Sequence, residues 1–317
     1  MEKLVDTSVL KFRSNTLEDV RKEFGLEKPG TIEQSLDILE QWLLKQDHIV
    51  KKDFPRTYLE RCLVNCKGSV EKTKTKLDKM CTIRTLMPQY FETFDAVAEF
   101  EPYKEGIWHA LLPQLTPNNE RVYFMKNIGF KHNSFLGFYK HFIKIMDYMN
   151  AYDYNTGFHM VMDYTELNVM DFVQKMNPTH IQHWSEITLN GFAMRVRSFQ
   201  VITSSTVIDL LVSIFRAALS PKLGKRIHVF KDLPEWHAHQ NEGIKVPRGI
   251  LPAEYGGGEK TLKELHVELM AALSSDDFVG YLKDQYKGIT NEKLRNACEF
   301  NEQHMGMPGS FRQMTVD

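Results

Sequence analysis

The feature that most constrains the fold is a change of hydrophobic pattern at Pro102. Before it, apolar residues recur only at helical spacing. After it, short apolar runs alternate with helices: Ile107 to Leu112, Val122 to Met125, Phe158 to Met162, Phe199 to Ile202 and Ile227 to Phe230. Short runs bounded by helical segments predict a mostly parallel sheet joined by crossovers. The expected class is α/β. An all-helical lobe spans 1–95, a sheet domain 96–262 and a helical or extended tail 263–317.

Caps and periodicity define the lobe. Thr16 with Asp19 begins a short helix that Gly25 stops, and Thr31 with Gln34 forms a second capping box. Behind that box, Ile32, Leu36, Leu39 and Leu43 share one apolar face. Pro55 opens a helix carrying Leu59, Cys62, Leu63 and Cys66, and Ser69 caps another that buries Val70, Leu77, Met80 and Ile83. Lys72, Lys74, Lys76 and Lys79 read as its solvated face. In the second part, helices are expected at about 135–152, from the Asn177-Pro178 cap to Gly191, and from Ser205 to Leu219. The tail beyond Ser275 is charged and weakly patterned, and 305–317 is expected to be disordered.

Composition removes several function classes. A net charge of -1 offers no bulk attraction to nucleic acid. No apolar run approaches the roughly 20 residues that span a bilayer, and the start lacks a secretory profile. The four cysteines, Cys62, Cys66, Cys81 and Cys298, have no zinc spacing, which predicts reduced thiols and a cytoplasmic protein. Gly256 to Thr261 lacks the glycine that a phosphate loop needs before its lysine, so a turn is expected. His237 and His239 lack a third ligand, His180 and His183 read as surface residues, and Asp163 as a turn residue. The expectation is a non-enzyme with no catalytic residue, metal or cofactor.

The most specific stretch is Leu251-Pro252-Ala253-Glu254-Tyr255-Gly256-Gly257. It resembles the closing signature of the CRAL-TRIO lipid-binding family. Leu112 to Pro117 with Arg121-Val122 resembles that family's first hairpin, Met194 to Arg197 its basic strand entry, and Lys225 to His228 its final strand. The resemblance runs from about Thr31 to Leu265. It lies nearest the branch that carries tocopherol and retinaldehyde, because Met194 stands near an acidic position of the phosphatidylinositol-transferring branch. The resemblance implies a sheet flooring an apolar pocket under a lid helix. Phe158, Met160 and Met162 share one strand face, as do Phe199 and Val201. The lid matches Ser205 to Leu219, with Ile208, Leu211, Val212 and Phe215 on its apolar side. Phe138, Tyr148, Met176, Ile187, Thr188 and Phe192 complete the expected ligand-binding set.

The family also implies release at phosphoinositide-containing membranes, and Arg195, Arg197, Lys222 and Arg226 match its basic positions. Its arginine-rich turn is reduced here to Arg61-Cys62-Leu63-Val64-Asn65-Cys66. The expected function is carriage of a tocopherol, retinoid, carotenoid or similar terpenoid in the cytoplasm, with peripheral contact at endosomal or plasma membranes. The alternative is a phosphoinositide-binding adaptor in endosomal traffic.

Overall fold

The computed structural model describes residues 3–240 and 246–295. Cys298 and the segment 305–317 lie outside the described residues. Four helices build the N-terminal module: α1 (Thr16–Glu23), α2 (Thr31–Leu44), α3 (Arg56–Asn65) and α4 (Val70–Leu86). Their core is leucine-rich, with Leu36, Leu39, Leu43, Leu59, Leu63 and Leu77 all buried. The Ser69 cap forms, its side chain accepting from the Lys72 N–H. The Thr31 capping box does not. Gly30, at a left-handed φ of 79°, is the N-cap of α2, and its carbonyl accepts from Gln34. A glycine reaches that backbone region without strain, so the chain turns there and Thr31 falls inside the helix.

The lysine face of α4 is also not purely solvated. Lys76 donates to the Leu189 and Asn190 carbonyls, and Lys79 pairs with Glu186 at 2.7 Å. Both reach across to the sheet domain, so α4 is a buttress between modules.

The sheet comprises β1 (Ile107–Leu111), β2 (Glu120–Asn127), β3 (Gly157–Asp163), β4 (Val196–Ile202) and β5 (Ile227–Phe230), in that spatial order. β1 and β2 form an antiparallel hairpin, and β2 to β5 are parallel. A strand order that never reverses puts every right-handed crossover on one face. Following the short α5 (Ala96–Phe100), the crossovers are α6 (Leu136–Tyr152), then α7 (Val169–Gln174) with α8 (Pro178–Ser185), then α9 (Ile208–Ala218) with α10 (Pro221–Gly224). A π-helical turn, Glu186–Gly191, follows α8.

The other sheet face is closed by α11 (Leu233–Gln240), the loop from Val246, and α12 (Leu262–Leu273). There the Leu251–Gly257 signature acts as a clasp. Leu251 and Tyr255 are buried, the Tyr255 hydroxyl donates to Asp163 at 2.5 Å, and Glu254 accepts from the Leu262 N–H. Gly257 has no room for a side chain, since a Cβ would sit 1.9 Å from the Leu251 carbonyl oxygen. Thr261 then starts α12 with a complete capping box.

Within the weakly patterned tail lies α13 (Asp276–Gln285), which buries Phe278 and Leu282. Beyond it the chain returns to the helical module. Ile49 bridges to Thr290 and Arg295 pairs with Asp78 at 2.6 Å. The C-terminal segment thereby straps the two modules together.

Candidate functional site

Strand alternation decides which side chains meet the crossover helices. Tyr123 and Met125 on β2 stand beside Met160 and Met162 on β3, which stand beside Phe199 and Val201 on β4. His159, Val161 and Asp163 point to the opposite face. On α6, Phe138, Tyr139 and Phe142, with Phe135 just before the helix, recur at helical spacing and cover this floor. Phe172 of α7 and Trp184 of α8 form a side wall, and Leu211, Val212 and Phe215 of α9 form the roof. The Phe135 and Phe138 rings stack at 4.5 Å, and Trp184 meets Phe215 edge-on at 6.3 Å. The cavity between these side chains measures about 60 Å³. Among the described residues the lining holds no carboxylate, imidazole, thiol or ammonium group.

The helix α9 is shaped for a roof. Asp209, Ser213 and Arg216 face solvent while Leu211 and Val212 are buried. The Ser185 hydroxyl donates to the Ala218 carbonyl and pins its C-terminal end to α8.

Of the residues expected to contact a ligand, the cavity brings together Phe138, Met160, Met162, Phe199, Val201, Leu211, Val212 and Phe215. The others lie outside its lining. Tyr148 faces away from it, donating to Thr7 and packing on Phe278. Phe158 is buried at the start of β3, and Ile208 at the start of α9. Met176 packs between α7 and α8. Ile187 is buried in the π-helical turn, where the Thr188 hydroxyl donates to the Trp184 carbonyl. Phe192 turns toward Tyr58 and Cys62 of the helical module. The lining residues that the sequence reading passed over include Tyr123, Met125, Phe135, Tyr139, Phe142, Tyr164 and Trp184. The 135, 138, 139, 142 spacing was the available signal for the α6 face.

The basic residues sit at the junction of the modules. The Arg195 guanidinium lies over the Phe24 ring at 4.5 Å, and Arg197 pairs with Glu23 at 3.3 Å and Glu120 at 2.8 Å. Arg226 donates to the Val196 carbonyl, whereas Lys222 is exposed. A cation that the sequence reading missed stands with them. Lys67 follows α3 at a φ of 58°, and Arg195, then partial desolvation, then Lys222, Lys72 and Arg197 lower its ammonium from the usual lysine value. Lys67 and Lys72 line the cleft between the modules with Lys76, so the flank where the Arg61 to Cys66 stretch, the end of α3, is short of arginines is basic again.

Behind the sheet runs a buried polar chain. Arg197 meets Glu120, His159 bridges Glu120 and Ser198, and Gln200 links Ser198 to Trp236. It has the members of a serine–histidine–carboxylate relay. Ser198 is nevertheless fully buried, on the face opposite the cavity. Among the described residues, no group of three or more His, Cys, Asp or Glu side chains is placed to hold a metal ion, and no helix is long and apolar enough to cross a membrane.

A helical module ahead of a singly wound sheet, with an apolar cavity under an amphipathic helix, defines a lipid-binding class of protein. Family comparison agrees. Residues 28–99 match the Pinta-like UBA domain and residues 108–257 match the CRAL/TRIO domain. The chain therefore carries a Pinta-like UBA domain followed by a CRAL/TRIO domain. No curated protein matches it significantly. Among solved structures, the crystal structure of Sfh5 is similar at a TM-score of 0.48 and 14% identity, over 87% of this chain and 98% of that one.

Proposed function

We propose that this protein is a carrier, not an enzyme, that shields one fat-soluble molecule such as a tocopherol, retinoid, carotenoid or similar terpenoid. The observation that supports this reading is the cavity under α9, whose lining is apolar and aromatic and, among the described residues, holds no carboxylate, imidazole, thiol or ammonium group. Burying about 400 Å² of apolar ligand surface contributes on the order of 10 kcal/mol before ordering costs. The cavity is narrow, so loading moves α9 outward or repacks Met125, Met160 and Met162, whose unbranched side chains adapt readily. Native mass spectrometry of the purified chain, with extraction and identification of what it holds, tests the reading. A stoichiometric terpenoid supports it. A mass that stays free of ligand after incubation with tocopherol, retinoids and carotenoids overturns it.

Release is assigned to anionic membrane surfaces. Lys222 lies on α10 directly after the roof helix, and Arg226 donates to the Val196 carbonyl between Arg195 and Arg197, so this reading gives docking and opening one location. Arg195 and Arg197 also hold Glu23 and Glu120. The cleaner probe is therefore the exposed pair, Lys67→Glu with Lys222→Glu. Each position contributes about 1 kcal/mol near an anionic surface. The double variant is expected to bind phosphoinositide vesicles at least about 30-fold more weakly, with its melting temperature unchanged. Undiminished vesicle binding removes these lysines from the docking surface.

A further inference from the structure

The chain contains two Ser/Thr-Pro dipeptides, Thr116-Pro117 and Ser220-Pro221. Thr116 is fully buried, and its hydroxyl accepts from the Glu120 N–H at 3.1 Å. Ser220 is the opposite case. It joins the roof helix α9 to α10 and is exposed, and its hydroxyl forms no cap on α10 and has no partner among the described residues. A residue before proline is held out of the helical region. Ser220 accordingly sits at a φ of -61° and a ψ of 151°, and Leu219 before it at a ψ of 154°, so a short extended link stands between the two helices.

Cations gather around this link. Arg216 lies in the last turn of α9, and its Cγ is 3.4 Å from where a Cβ on Gly224 would sit. The Gly224 N–H donates to the Ser220 carbonyl at 2.9 Å, so Arg216, Ser220 and Gly224 pack as one turn. Lys222 on α10 and Lys225 at its end are exposed, and Arg226 follows. No acidic residue occurs between Asp209 and Asp232 along the chain. A phosphate on Ser220 would bring a charge of roughly -2 and three acceptor oxygens into a segment whose charged side chains are all positive. It would offset docking charge at the point where that charge meets the roof helix.

Resting on the docking reading above, we propose that Ser220 is a phosphorylation site for a proline-directed protein kinase, and that its phosphate switches off docking at anionic membranes. The following proline, with no N–H and a fixed φ, is the mark such kinases read. ATP supplies the phosphoryl group. The aspartate of the kinase catalytic loop accepts the hydroxyl proton, Ser220 Oγ forms the new bond to the γ-phosphorus, the bond from that phosphorus to the β–γ bridging oxygen breaks, and ADP leaves.

The full chain, incubated with magnesium ATP and in turn a cyclin-dependent and a mitogen-activated kinase, is expected to gain one phosphate by intact mass. Fragmentation should place it on Ser220, and Ser220→Ala should gain none. The phosphorylated protein should bind phosphatidylcholine vesicles doped with phosphatidylinositol bisphosphate about 30-fold more weakly, the effect of about two cancelled cations near an anionic surface. Its melting temperature should match that of the parent, and Ser220→Ala should bind the same vesicles within about 2-fold of the parent, because it removes only an unpartnered hydroxyl. A folded parent that neither kinase modifies at Ser220 overturns the site. Complete phosphorylation of Ser220 with undiminished vesicle binding overturns the switch and leaves the docking reading intact. A parent that fails to bind the vesicles before any kinase is added overturns the docking reading and the switch together.

Discussion

Arg121 and Asp153 offer the sharpest test of how the sheet domain is held. Arg121 lies on β2, and its Nε and Nη2 meet the two Asp153 carboxylate oxygens at 2.8 and 2.7 Å, with both side chains 0% exposed. Its Nη1 also donates to the Leu112 and Pro113 carbonyls, so a single guanidinium ties the β1–β2 hairpin to the end of α6. Arg121→Met keeps the volume but leaves Asp153 buried with two donors, the Tyr154 N–H at 2.9 Å and the Asn155 amide at 3.1 Å. Losing one partner of a buried pair costs about 3–5 kcal/mol, and the surviving donors place this case near the low end. The Leu112 carbonyl adds about 1 kcal/mol, whereas the Pro113 carbonyl keeps the Lys11 N–H. The expected loss is about 4 kcal/mol by urea unfolding at neutral pH, followed by tryptophan fluorescence. Adding Asp153→Asn removes the stranded charge, so the double variant should recover at least about 1.5 kcal/mol relative to additivity. A loss under about 1.5 kcal/mol for the single variant, or strict additivity in the pair, refutes the reasoning.

Acid should weaken the fold through three buried imidazoles. His109 of β1, His141 of α6 and His266 of α12 cluster around Phe100, with His109 5.0 Å from His141 and 4.8 Å from His266 between ring centres. Burial depresses all three, His141 to about 3, with Lys144 beside it adding to the effect. The unfolded chain then binds more protons than the folded one, so this stability is complete above about pH 6.5 and is lost as pH falls toward 3. His141 alone contributes a slope of up to about 1.4 kcal/mol per pH unit, and His141→Phe should flatten the melting-temperature profile between pH 6.5 and 4. In the signature clasp, Gly257→Ala is expected to cost at least about 3 kcal/mol because its Cβ meets the Leu251 carbonyl oxygen, while Gly249→Ala, with open space around it, stays near neutral. Similar melting temperatures for the two glycine variants contradict that account.

Much of the architecture was legible in the chain because local rules and global fold agree. The apolar runs between helices announced a parallel sheet, and Asn177, Ser69 and Gly25 sit at helix ends as their chemistry requires. The Leu251–Gly257 stretch was legible too, though its visible work is to clasp the back of the sheet. Strand alternation placed Met160, Met162, Phe199 and Val201 on the cavity floor, since a period of two allows only two faces.

Tertiary structure decided what periodicity cannot resolve. Residues 141 to 151 of α6 are all buried, so its hydrophobic pattern marks no single inner face, and the cavity side of Phe138, Tyr139 and Phe142 was set by the sheet beneath it. The same ambiguity sent Tyr148 to Phe278 and Thr7 on the far side. Charge is equally blind to context along the chain. Lys76 and Lys79 lie on an outer helix stripe, yet the docking of two modules turns them into interface contacts, and Lys67 joins Arg195 and Lys222 only because α3, β4 and α10 converge. Sequence sets which residues prefer burial or solvent, but which buried face meets the ligand space and which cations share a surface depend on contacts between segments far apart in the chain.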